Sequence, residues 1–172
     1  MKIKPIVFLF IIFLLPISSN AQDVSANDLV TEFACKTFEC FDTFVTAKGF
    51  SLRTKQTHSG GDVELFYDFV NDTKLTMDVS KNVITSKNST QIIFVTNSSA
   101  TNVATTNKNY YETLLNQFKN LGFGNPDLIP GHSYYSTSHP GLDLWILTHG
   151  ADKKTGLTNY NIILQDKKLA HH

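Results

Sequence analysis

Between Ala26 and Lys48 the apolar residues Val30, Phe33, Ala34, Phe38, Phe41, Phe44 and Val45 recur at steps of three and four. That spacing gathers side chains on one face of a helix. Ser25 or Asn27 can cap the start and Gly49 can stop the end, so the pattern predicts one amphipathic helix from Ala26 to Lys48. Its phenylalanine stripe has ordinary helical period and reads as packing surface, not as a ligand box. Beyond Gly49-Phe50 the period shortens to two. Ser51 to Thr57 and Asp62 to Val70 flank Ser59-Gly60-Gly61 as the arms of a hairpin. Asn71-Asp72 turns the chain into Lys74 to Val79, where Leu75, Met77 and Val79 alternate with polar residues, and Thr90 to Thr96 forms a more apolar strand.

Residues 97 to 109 are Asn, Ser, Thr and Ala with one Lys and one Val, too polar to bury much surface, and read as a loop. Tyr111, Leu114, Leu115, Phe118 and Leu121 then restore helical spacing, with Gly122 as the stop. His132 to Ser138 and Leu142 to His149 flank His139-Pro140-Gly141 as a second hairpin, and Asn159 to Gln165 supplies a last strand. Trp145 has apolar neighbours and reads as core. The expected fold is α+β: an antiparallel sheet of six or seven strands, two helices on one face, and the other face left to water or a partner. Both halves run helix, Gly-Phe, hairpin, strand, with Leu65-Phe66-Tyr67 answering Leu144-Trp145-Ile146. The shared order suggests a duplicated α-β-β-β unit.

The first 21 residues change the picture of where this domain works. Lys2 and Lys4 precede an apolar run from Ile6 to Ile17, and Ser19-Asn20-Ala21 offers small residues to a signal peptidase. Twelve apolar residues fall short of the roughly 20 that span a bilayer. Residues 1–21 therefore read as a cleaved signal of bacterial type, and residues 22–172 as one domain, periplasmic or secreted. Cys35 lies far from the apolar run behind Glu32-Phe33-Ala34, which does not resemble a lipid-attachment site, so no stable membrane anchor is expected. Without its signal the chain carries 13 Lys and Arg against 15 Asp and Glu, a balance that argues against nucleic acid as a partner.

Cys35 and Cys40 are the only cysteines. An exported protein meets an oxidising compartment, but five residues along one continuous helix rise ~7.5 Å, beyond bridging distance. A continuous helix therefore predicts two free thiols. Two cysteines alone also fall short of the four ligands a structural zinc site needs.

The densest chemistry lies between Gly131 and His149. His132, Tyr134, Tyr135, His139 and His149 form the candidate ligand-binding set, since imidazole titrates near neutral pH and tyrosine joins a large contact surface to a polar tip. A hydrolase would need Ser133 or Ser136 beside His132 or His139, with Asp143 orienting the imidazole. No nucleophile elbow frames these residues. A metal would need His132, His139 and His149 to converge, which nothing in their spacing enforces. No cofactor motif is present. The sequence therefore favours a small exported binding protein whose partner is another envelope or secreted protein, with a periplasmic hydrolase as the alternative.

Overall fold

The computed structural model describes residues 24–35, 37–69, 77–78, 83–96, 100–124 and 128–169. The expected signal in residues 1–21, the terminal His171-His172 and most of the expected strand Lys74 to Val79 lie outside them. In chain order the elements are α1 (Ala26–Glu32), α2 (Phe38–Ala47), β1 (Phe50–Thr57), β2 (Val63–Phe69), β3 (Met77–Asp78), β4 (Val83–Ile84), β5 (Thr90–Val95), β6 (Ala100–Thr105), α3 (Lys108–Asn120), β7 (His132–Tyr135), β8 (Leu142–His149) and β9 (Asn159–Asp166). Seven strands form one antiparallel sheet in the order β1-β2-β5-β6-β9-β8-β7. The α+β class and the antiparallel sheet are as expected from the sequence.

Residues in register across a sheet share a face, so the core can be followed strand by strand. Tyr67, Ile92, Val103, Ile162 and Ile146 form one row, and all are buried. The next row on that face is Leu65, Phe94, Thr101, Leu164 and Leu144. Leu29 of α1, Phe41 and Val45 of α2, and Leu114 and Phe118 of α3 pack onto these rows. Phe41 stacks on Phe94 with ring centroids 4.4 Å apart and tilts against Tyr67 at 5.3 Å. Three helices, not two, therefore cover this face among the described residues.

The third helix arises because the predicted Ala26 to Lys48 helix is broken. Ser25 caps α1 in a capping box with Asp28, and Thr37 caps α2 by accepting the Cys40 N–H. Between them the Cys35 N–H closes a turn onto the Glu32 carbonyl at 2.6 Å. The break brings Cys35 and Cys40 to a Cα separation of 5.3 Å, and they form a disulfide. The expected free thiols are thus corrected: the axial rise that would have kept them apart does not exist. The stripe is corrected too. Phe41 is buried, Phe33 and Phe44 are partly buried, and Phe38 is 38% exposed.

The segment read as a loop from 97 to 109 contains β6 and the start of α3. β6 is the middle strand, paired on both sides, and its neighbours supply the burial that its own small side chains lack. The face opposite the helices carries a second apolar cluster of Phe66, Ile84, Ile93 and Ala104. Ile84 in β4 is held there by the Asn159 side chain, which accepts its N–H at 2.9 Å and donates to its carbonyl at 3.1 Å. Ile84 of β4 therefore covers part of the face expected to be open.

The two halves repeat their order but not their geometry. The hairpins β1-β2 and β7-β8 run inward from opposite edges with their helices on the same face, while most of Lys74 to Val79, the third strand expected for the first unit, lies outside the described residues. Six antiparallel pairings separate β1 from β7, so these two strands point the same way. Rotation about the sheet normal would swap the edges and also reverse the strand direction. The two hairpins are therefore of opposite hand, which hairpins copied from one unit would not be.

Candidate functional site

Strand alternation disperses the candidate residues. His132 and Tyr134 stand opposite Ile146 and Leu144 on the helix side, whereas Ser133 and Tyr135 stand opposite Trp145 and Asp143 on the other. The Tyr134 hydroxyl is tied to the backbone of Ile129, accepting its N–H at 2.6 Å and donating to its carbonyl at 3.2 Å. His139 sits in the hairpin turn, its ring parallel to Phe123 with centroids 5.9 Å apart. His149 is exposed at the far end of β8 on the Trp145 side. Tyr134 and Tyr135 face opposite sides, as strand period requires. Among the described residues no group of three His, Cys, Asp or Glu side chains could hold a metal.

Ser133 does meet Asp143, donating to its Oδ1 at 2.6 Å. No imidazole lies between them, because His132, adjacent in sequence, points through the opposite face. Ser136 is buried and donates to the Leu121 carbonyl at 2.9 Å while accepting the N–H groups of Ser138 and His139. Among the described residues neither serine shares a hydrogen bond with an imidazole, the base a serine nucleophile would use.

Asp143, a triad acid in the sequence pattern, is the centre of the site. It is fully buried and also accepts from Trp145 Nε1 at 2.6 Å and Gln165 Nε2 at 3.1 Å. Donors from β7, β8 and β9 thus converge on one carboxylate, satisfying its desolvated oxygens. The consequence is orientation: Trp145, expected in the core, is half-buried on the face away from the helices with its ring direction fixed. Tyr135, directly across from Asp143, is 47% exposed and carries Lys167 Nζ 4.4 Å from its ring centroid. The signal for this site was the Asp143-x-Trp145 spacing, which places both side chains on one strand face. Lys167 and Gln165 could not be assigned to it before the register of β8 against β9 was known.

No family model matches the chain, and no curated protein or solved structure matches it. The site must be read from its own chemistry.

A second polar feature lies within the core. Glu32 is buried, accepts a hydrogen bond from Thr101 Oγ1 at 3.3 Å, and has no partner for Oε1 among the described residues. Burial pushes its carboxyl up from 4.5 to about 8, only slightly offset by the Thr101 hydroxyl. Asp28 differs: burial works against its charge, but the Lys48 ammonium and Ser25 outweigh that and hold it below the ordinary carboxylate range. Burial, followed by the hydrogen bond to Asp42, raises the Tyr67 phenol. Glu32 faces the helix-side core, while Trp145 and Tyr135 lie across the sheet, so it has no access to that surface.

Proposed function

We infer that the protein is an exported binding module that recognises an envelope or secreted protein through the Tyr135–Trp145–Lys167 surface. The observation that carries this reading is the Asp143 centre, which ties the Trp145 ring to β7 and β9 beside the exposed Tyr135. Tyrosine and tryptophan contribute much contact area at small entropic cost and recur as interface anchors. A site held by buried hydrogen bonds loses little further freedom on binding. His132 projects from the opposite face to Ser133, and among the described residues neither Ser133 nor Ser136 shares a hydrogen bond with an imidazole, which argues against the hydrolase alternative.

Export is part of the same proposal. A disulfide between Cys35 and Cys40 is compatible with an oxidising compartment, and among the described residues no helix is long and apolar enough to cross a membrane. The signal read in residues 1–21 then places the mature chain in the periplasm or medium. The test compares tagged mature protein with the Tyr135→Ala/Lys167→Ala variant in pull-downs from envelope extract, after circular dichroism has shown both folded. The reading expects a protein retained by the parent and lost from the variant. Equal recovery by both would remove this surface from the account.

A further inference from the structure

At the other end of the sheet, on the helix side, a groove of about 240 Å³ opens between the start of α2 and the β1–β2 hairpin, lined by Phe38, Leu52, Lys55, Val63, Leu65 and Thr96. Phe38 is 38% and Leu52 43% exposed. This volume lies below the usual range for a whole small-molecule site, so it suits one side chain of a larger ligand.

The backbone beside the groove is itself unfilled. Among the described residues β1 is an edge of the sheet. The His58 N–H bonds the Asp62 carbonyl, closing the hairpin. Antiparallel alternation then makes Gln56–Glu64 a hydrogen-bonded pair, and Thr57–Val63 and Lys55–Leu65 non-bonded ones. The Thr96 N–H donating to the Val63 carbonyl agrees, since it turns Val63 toward β5. Lys55 and Thr57 consequently direct their N–H and C=O groups outward.

Edges of this kind are often protected by charge or a bulge, and β1 has a register shift between Leu52 and Thr54. Arg53, the extra residue, is drawn to the opposite face by Asp68 at 2.8 Å, which leaves the helix side to Leu52 and Lys55. Lys55 has no ion-pair partner among the described residues. We propose that this edge binds an extended peptide of a partner protein, added as a strand along β1, with an apolar side chain in the groove and a carboxylate against Lys55. Main-chain hydrogen bonds supply affinity in such strand addition, and pockets for alternate side chains supply selectivity. The site is separate from the Tyr135–Trp145 surface and stands or falls apart from it.

The test is an NMR titration of the purified chain with a capped pentapeptide, Thr-Leu-Thr-Glu-Thr, and its lysine counterpart, Thr-Leu-Thr-Lys-Thr. The expected result is saturable shifts at the Lys55 and Thr57 amides and the Leu52 and Leu65 methyls, with the glutamate peptide binding about tenfold more tightly. Lys55→Glu should invert that order, and N-methylation of the peptide backbone should weaken binding by about tenfold. Three results would overturn the proposal: no saturable shifts at millimolar peptide, equal affinity for both peptides in parent and variant, or a concentration-dependent dimer seated on β1, which would assign the edge to a second copy of the chain.

Discussion

Replacing Glu32 with glutamine keeps the shape of the side chain and removes its proton equilibrium. In the unfolded chain the carboxyl titrates near 4.5, and in the fold its value rises to about 8. Between these values the native state holds the extra proton, so the contribution of Glu32 to stability is greatest below pH 4.5 and falls as pH rises through the window. The slope is about 1.4 kcal/mol per pH unit, giving roughly 4–5 kcal/mol across the whole window as an upper figure. Domains of this size have only about 5–15 kcal/mol to lose. Urea unfolding followed by circular dichroism, repeated from pH 4.5 to 9 on the parent and Glu32→Gln, isolates the effect as a difference, since other titrating groups are common to both proteins. The variant should match the parent near pH 4.5 and exceed it by several kcal/mol at pH 9. A difference that stays constant with pH would show that Glu32 is ionised in the fold and that its burial has been misread.

Other consequences are equally specific. Phe41→Ala removes a fully buried ring stacked on Phe94 and should lower stability by about 3–5 kcal/mol in the same assay. Alkylation of the unfolded, non-reduced protein should label no thiol, and Cys35→Ser with Cys40→Ser should cost roughly 2 kcal/mol, the small figure appropriate to a short loop. Asp143→Ala strands the Ser133, Trp145 and Gln165 donors and should cost about 3 kcal/mol or more while shifting tryptophan fluorescence. His132→Ala with His139→Ala should leave both fold and partner capture intact.

What the sequence revealed follows from how local each signal is. The arms around Ser59-Gly60-Gly61 and His139-Pro140-Gly141 were legible because alternation and turn residues act within a few positions. The helix break was not, because Phe38, Phe41 and Val45 keep a plausible period through it. Thr37, an N-cap three residues before Cys40, was the overlooked mark. β6 was missed because its burial comes from β5 and β9, although Thr101, Val103 and Thr105 alternate correctly. The same dependence on pairing hid the proposed surface. Tyr135 could be picked out alone, whereas Trp145, Asp143 and Lys167 join it only once β7, β8 and β9 are in register. His132 and His139 stand out by composition, but strand alternation puts His132 on the helix side and His139 lies in the hairpin turn.

The central claim, that the protein works by binding through the Tyr135 side of the sheet, is tested most directly by photocrosslinking in cells. A photoreactive phenylalanine analogue at position 135 would sit at the proposed contact. The same analogue at position 113, exposed on α3, reports the helix side. The account predicts a discrete crosslinked partner from position 135 and none from position 113. The same partner at both positions, or only at 113, would contradict it.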